Sequence, residues 1–299
     1  MLHQYIKYMN SPISSSNKTA VASLLFSAAD KVGIVASIAD FFAQRNLNIS
    51  RCVEYTDAGQ FFSRLEWSLD DHWEDEVCFA ADFDHVAQQY SATFSARFMH
   101  RKQTLGLFAS SKIPILIDVL HKVETNYFPE LEVSFIVGNQ EPMRKIADHH
   151  GVPFFYSDTT TDALQYEKKQ LGIIQRYAPD YIGLAGYMKV LSANFITKIG
   201  CPVINIKHSF MPSLKGADPF ELAYERGVKL IGATSQYVTA ELDHGPIIEQ
   251  DVRRLSSGTS AQDMLKIGRE VEQQVFAQAL LKALEHKIII YKNRSIVFD

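Results

Sequence analysis

Cysteine is scarce in this sequence. Cys52, Cys78 and Cys201 are the three in 299 residues, too few and too scattered for a disulfide framework or a zinc site. A reduced, cytoplasmic setting is therefore expected. No apolar run approaches the length of a membrane span, and residues 1–18 lack the apolar stretch of a secretory signal. An excess of one charge is missing as well. Lys and Arg number 30 against 34 Asp and Glu, a net charge of −4, which argues against nucleic acid or an anionic membrane as partner. There is no Walker A sequence, no internal repeat and no low-complexity tract.

What is present is an ordinary globular balance, 46% apolar and 21% charged, on a chain long enough for two domains. Residues 1–18 read as a polar N-terminal arm. Residues 19–99 carry a first pattern. Ala20 to Ser27 is a β-rich run. Asp30 offers a helix cap with Gly33 just inside, and Ile34, Val35, Ile38, Phe41 and Phe42 follow at helical spacing. Ile49–Tyr55 and Phe61–Leu69 read as strands around a turn at Asp57-Ala-Gly. Residues 71–91 begin as an acidic loop and become helical, and 92–98 close the pattern as a strand. The order βαββαβ predicts a ferredoxin-like sheet with its helices on one face. With Ser27-Ala-Ala-Asp-Lys-Val-Gly-Ile-Val-Ala, Asn48-Ile-Ser and Gly59-Gln-Phe-Phe-Ser-Arg-Leu-Glu, this region resembles an ACT domain. The resemblance implies an amino-acid effector site or a subunit interface at Asp30, Gly33, Ile34 and Asn48.

Residues 100–104 read as a polar linker. Residues 105–299 then alternate β and α. Strands are expected at 105–110, 133–137, 152–155, 181–185 and 203–206, with helices at 115–122, 142–150, 162–177 and 192–199. A long helix at 261–284 and strands at 288–291 and 295–298 complete the domain. This alternation predicts a doubly wound, mostly parallel sheet, whose ligands collect at the carboxyl ends of its strands. No G-x-G-x-x-G follows its first strand, so nucleotide binding has no support beyond the fold class.

Three segments carry chemistry: Leu184-Ala-Gly-Tyr-Met-Lys-Val-Leu-Ser, Val203-Ile-Asn-Ile-Lys-His-Ser-Phe-Met-Pro-Ser-Leu-Lys-Gly, and Gly232-Ala-Thr-Ser-Gln-Tyr-Val running on to Leu242-Asp-His-Gly-Pro-Ile-Ile-Glu-Gln. Together they resemble the core of folate-dependent formyltransferases. With the ACT-like region in front and Ala223-Tyr-Glu-Arg-Gly-Val-Lys-Leu-Ile-Gly between the last two, the closer likeness is to the formyltetrahydrofolate deformylases, and it covers nearly the whole chain after residue 19. The resemblance implies a hydrolase acting on 10-formyltetrahydrofolate, releasing formate and tetrahydrofolate, with no tightly bound cofactor and no metal. It implies that the Asn205 amide donates to the oxyanion of the tetrahedral intermediate and that Asp243 orders the attacking water. Met188, Lys189, Val190 and Leu191, with Gln236, His244 and Gly245, are implied to hold the folate. A homodimer or homotetramer is implied through the ACT-like region.

The likeness breaks at the reacting centre. The family motif reads Asn-x-His, with the histidine as acid and base; the third position here is Lys207. Gln140 after Asn139, Glu221 and Gln236 stand where the deformylases usually have histidine, and His244 where they usually have glutamate. In an extended strand Asn205, Lys207 and Ser209 share one face, which turns His208 away as a substitute. Beside Asp243 the Lys207 ammonium is favoured, whereas desolvation favours a neutral amine. Weakened deformylation or a changed reaction is expected. Two alternatives follow: hydrolysis of a methylene- or methenyl-tetrahydrofolate, whose one-carbon unit needs less acid and base help, or a catalytically silent sensor of folate or amino acid.

Overall fold

A computed structural model of the chain describes residues 21–69, 73, 75–99, 101–110, 113–207 and 219–299. The expected N-terminal arm and His208 lie outside these residues. The chain divides into two compact units, Met1–His100 and Arg101–Asp299.

The first unit is built from β1 (Val21–Ala29), α1 (Ile34–Gln44), β2 (Ile49–Asp57), β3 (Gln60–Ser68), α2 (Glu76–Tyr90) and β4 (Thr93–Phe98). Its strands pair antiparallel in the order β2-β3-β1-β4, the ferredoxin-like arrangement that the pattern predicts. Alternation puts Ala22, Leu24, Phe26 and Ala28 of β1 on one face. There they meet Ile34, Ile38, Phe41 and Phe42 of α1 and Phe79 and Phe83 of α2 in one buried cluster. Asp75 starts α2, its side chain accepting from the Cys78 amide at 2.8 Å. The cap expected at Asp30 is not formed. α1 begins at Ile34 behind Gly33, which takes φ 96° with no side-chain cap, while the exposed Asp30 donates its amide to the Gly59 carbonyl at 2.9 Å. Gly33 takes the N-cap place in a left-handed turn, so the helix starts at Ile34, four residues beyond Asp30.

The second unit contains β5 (Gln103–Ala109), α3 (Ile113–Glu124), β6 (Leu131–Gly138), α4 (Glu141–His149), β7 (Phe154–Tyr156), α5 (Ala163–Tyr177), β8 (Tyr181–Leu184), α6 (Ala193–Ile199) and β9 (Val203–Lys207). α7 (Pro219–Glu225), β10 (Leu230–Tyr237), β11 (Ile247–Arg254), α8 (Ala261–Leu284), β12 (Ile288–Tyr291) and β13 (Arg294–Val297) follow. Its main sheet has seven strands in the order β11-β10-β9-β8-β5-β6-β7. The pairs from β9 to β7 are parallel, and β10 and β11 add antiparallel at one edge. Both faces are covered. Leu105 and Leu107 of β5 join α3 and α8 in one core, while Phe108 joins α5 and α6 in another. β10, β11 and α7 are elements that the sequence pattern does not announce. Gly232-Ala-Thr-Ser-Gln has little bulk of its own and is buried by its neighbours instead.

Candidate functional site

The alternation along β9 decides what its end presents. Ile204 and Ile206 enter the core shared with α8, and Val203 enters the core shared with α5 and α6. Asn205 and Lys207 therefore point to the α5–α6 face, at the carboxyl end of the strand. β10 extends the row, with Gln236 directly opposite Asn205 and Thr234 directly opposite Lys207. Gln236 and Thr234 are both buried, and Gln250 on β11 donates to the Thr234 hydroxyl at 2.8 Å. The Ser235 hydroxyl donates to the Asn205 carbonyl at 2.9 Å, fixing the backbone from which the Asn205 amide projects. The β10–β11 register shifts at Ser235 and Gln236, a bulge that re-aims side chains beside the site.

The connection from β10 to β11 brings the carboxylate. Asp243 has φ 68°, a left-handed conformation that Asp tolerates better than most residues and that concentrates at functional sites. Two residues on, a Cβ at Gly245 would fall on the Tyr237 carbonyl oxygen; only glycine lets the returning strand pass this close. The turn is closed by Tyr237 N–H to the Pro246 carbonyl at 3.0 Å. It carries Asp243 back over β9, where the carboxylate forms an ion pair with the Lys207 ammonium.

That pair is asymmetric. The Lys207 side chain is 21% exposed and the Asp243 side chain 60%. Burial pulls the Lys207 ammonium down from its ordinary value. Burial is the cause of that shift; a carboxylate in contact acts in the opposite sense, and one this exposed is screened by water. A lysine lowered in this way is a stronger acid than a free one.

Asn205, Lys207, Gln236 and Asp243 line one cleft enclosing about 50 Å³, together with Val190 and Leu191 after β8. Ile196, Val238, Thr239, Ala240, Glu241 and Leu242 also line it, residues that the sequence motifs do not single out. Thr239 to Glu241 fall in the gap between two recognisable segments, and no residue there has distinctive chemistry. Met188 and Lys189 are exposed and do not line the cleft. His244 is 68% exposed and lies 3.8 Å from the lining residue Glu241, without lining the cleft itself. Gln140 stands at the start of α4 without a side-chain cap bond, and Glu221 lies exposed on α7. The structure thus brings together Asn205, Lys207, Asp243, Gln236, Val190 and Leu191, and leaves Gln140 and Glu221 outside the lining. Among the described residues, no group of three or more His, Cys, Asp or Glu side chains is placed to hold a metal ion, and no helix is long and apolar enough to cross a membrane.

A side-chain amide, a half-buried amine and a carboxylate on one apolar-walled cleft can together hold an oxyanion, hold a water and move protons. Comparison with known proteins identifies the setting. The Formyl transferase family model matches residues 107–280. The formyltetrahydrofolate deformylase of a Synechocystis species is 37% identical over 280 residues, spanning 93% of this chain and 98% of its own. That of Bacillus subtilis is 36% identical, spanning 92% and 93%. The crystal structure of a formyltetrahydrofolate deformylase from Pseudomonas syringae superposes with a TM-score of 0.89 at 32% identity, over 100% of both chains. A glycinamide ribonucleotide transformylase from Symbiobacterium toebii shares the fold, at 24% identity and a TM-score of 0.61 over 68% of this chain. By sequence and by fold over nearly its whole length, this chain belongs to the formyltetrahydrofolate deformylase family.

Proposed function

We propose that this chain hydrolyses 10-formyltetrahydrofolate to formate and tetrahydrofolate at the cleft between β9 and the Asp243 turn. The observation that carries the reading is the meeting of Asn205, Lys207 and Asp243 in one cleft of a deformylase-family chain. Water adds to the formyl carbon, and the Asn205 amide donates to the oxyanion that forms. Asp243 accepts the proton of the attacking water. Lys207, made more acidic by burial, protonates N10 as the bond from carbon to N10 breaks. Formic acid leaves and gives its proton to water as formate, tetrahydrofolate leaves, and the Asp243 proton returns to Lys207. Val190, Leu191 and Leu242 supply apolar walls for a flat ring. No cofactor or metal enters these steps.

The contact of Lys207 with Asp243 favours a second reading. A lysine tied to the carboxylate is a slower proton carrier than histidine, which titrates near neutrality. A one-carbon unit needing less proton transfer then becomes the better substrate, with 5,10-methylene-tetrahydrofolate and water giving formaldehyde and tetrahydrofolate. A silent folate sensor is the limit of the same trend. One experiment separates the three: incubation with 10-formyl-, 5,10-methenyl- and 5,10-methylene-tetrahydrofolate, assaying formate, formaldehyde and tetrahydrofolate, with Lys207→His beside the parent. Formate release from the 10-formyl substrate supports the first reading, and formaldehyde the second. Tight folate binding without turnover of any substrate supports the sensor. A rise in formate release on Lys207→His would show that lysine limits the proton transfer.

For the first unit we propose an ACT-type role, pairing chains into a homodimer or homotetramer and taking a small amino-acid effector near Asp30, Gly33, Ile34 and Asn48, in a cytoplasmic protein. Light scattering and a thermal-shift screen of free amino acids test it.

A further inference from the structure

The cleft wall after β8 is a loop, residues 185–191, ending at Ser192. Loops hold a shape only when something fixes them, and this one is fixed from two buried directions. At the end of β5 the Ser110 hydroxyl donates to the Gly186 carbonyl at 3.0 Å and accepts from the Met188 amide at 2.8 Å. From α5 come Glu167 and Gln170, neighbours at i and i+3 on one helix face. The Gln170 amide donates to the Tyr187 hydroxyl at 3.0 Å and to the Ser157 hydroxyl at 2.9 Å.

Glu167 makes the other attachment. It is 3% exposed, and its two carboxylate oxygens are divided between the two donors of a single residue. One takes the Ser192 amide at 2.8 Å, the other the Ser192 hydroxyl at 2.6 Å. The same hydroxyl accepts from the Phe195 amide at 3.1 Å, so one carboxylate sets both the end of the loop and the first turn of α6. Leu191 stands immediately before Ser192, and Ile196 one turn after it. Both line the cleft. A charged group is costly to bury unless its hydrogen bonds are made, and here both are made to Ser192.

We propose that Glu167 is a positioning residue for the substrate cleft: through Ser192 it holds Leu191 and Ile196 as a fixed apolar wall. The proposal rests on the folate reading of the cleft. Glu167 touches no reacting atom, so its loss acts on binding rather than on the chemical step.

The test measures the dissociation constant of tetrahydrofolate by fluorescence titration, and kcat and KM for formate release. Glu167→Ala, Glu167→Gln and Ser192→Ala are compared with the parent, with Val275→Ala in the far core of α8 as a stability control. Glu167→Ala leaves two donors of Ser192 without their acceptor. It is expected to weaken tetrahydrofolate binding and raise KM about tenfold while kcat stays within about twofold. Glu167→Gln, which keeps an acceptor for the Ser192 amide, recovers most of the loss. Val275→Ala lowers Tm with binding unchanged. Parent-like tetrahydrofolate binding in Glu167→Ala would overturn the proposal, as would equal weakening in Val275→Ala. If Glu167→Ala does not fold, Ser192→Ala decides: several-fold weaker binding supports the proposal and unchanged binding overturns it. A parent that fails to bind tetrahydrofolate overturns the folate reading itself, a result separable from parent binding with an unaffected variant.

Discussion

The loop 185–192, through Val190 and Leu191, and the turn 238–246, through Val238 to Asp243, both contribute to one cleft, yet their backbones are held by different means. The first segment is tied to distant parts of the chain, by Ser110 from β5 and by Glu167 and Gln170 from α5. The second is tied mainly to itself. Thr239 donates to the Glu241 carbonyl at 3.0 Å, and Tyr237 to Pro246 at 3.0 Å. Val238 donates its amide to the Val203 carbonyl of β9 at 2.8 Å; further along, the Lys207–Asp243 ion pair ties the turn to β9, and Asp243 holds a left-handed conformation. Side chains that are asked to bind sit on a wall that cannot shift without breaking buried hydrogen bonds. The side chain proposed to take a proton sits on a turn whose shape depends largely on its own residues. Substitutions on the first wall should therefore read out in KM, and substitutions on the turn in kcat.

The largest effect is expected at the carboxylate. Asp243→Ala removes the acceptor for the water proton and should lower kcat for formate release about a thousandfold, while tetrahydrofolate binding changes little. Formate release undiminished in this variant would sink the site assignment. Asn205→Ala, on the rigid strand, removes one oxyanion donor and should cost about a hundredfold or more in kcat. If either variant acts through KM alone, the division between a binding wall and a reacting turn is wrong.

Gly245→Ala tests the turn without touching a reacting group. Its methyl group would occupy the place of the Tyr237 carbonyl oxygen, so the returning strand must move outward and carry Asp243 with it. A loss of roughly 1–3 kcal/mol in stability is expected from this overpacking, with kcat falling more than tenfold. Denaturant unfolding and formate assays check the two halves. Unchanged kcat at reduced stability would show that the turn positions Asp243 independently of Gly245.

The pH profile tests the partner of Asp243. Burial lowers the folded-state value of Lys207. As an acid it works only while protonated, so activity should be full below that lowered value and fall as pH rises through it. The alkaline limb of kcat should thus lie below the ordinary lysine range of about 10.4. Lys207→Arg, which stays protonated, should remove that limb at reduced kcat. A profile flat to the ordinary lysine range in the parent would exclude Lys207 as the acid.

Parts of this comparison were legible in the sequence, and the differences have physical causes. Apolar residues recurring at helix period marked α1 and α5, each buried on one face, and dense apolar runs marked β1, β3 and β5, which are buried along most of their length. Asn205, Lys207 and Asp243 stood in long segments of distinctive order, and alternation along β9 put the first two on one face. The strands β10 and β11 were not legible. Gly232, Ala233 and Ser235 are buried by their neighbours, and β11 carries Glu, Gln, Asp and Arg along a partly exposed edge. The Asp30 cap was misread because Gly33 turns left-handed before the helix begins. Gln140 and Glu221 followed from likeness to relatives alone, and their elements do not carry them into the lining. Glu167 and Gln170 were invisible for the opposite reason: charged and amide side chains on a helix read as a solvated face until the fold shows what covers them.

The smallest effect concerns the helix that carries those two side chains. α5 ends at Ala178, which takes φ 42° and ψ 56° and donates its amide to the Ile174 carbonyl at 2.8 Å. This is a helix C-terminus closed in the left-handed conformation, where a Cβ is unfavourable and glycine is the usual residue. Ala178→Gly should relieve that strain and raise stability by about 0.5–1 kcal/mol, the flexibility it adds to the unfolded chain offsetting part of the gain. Because the loop 185–191 is already held by Ser110, Glu167 and Gln170, a firmer end to α5 should leave KM and kcat at the parent values while Tm rises. A changed KM would mean that the wall still moves with α5, and that its fixed geometry depends on the helix as a body rather than on the two side chains projecting from it.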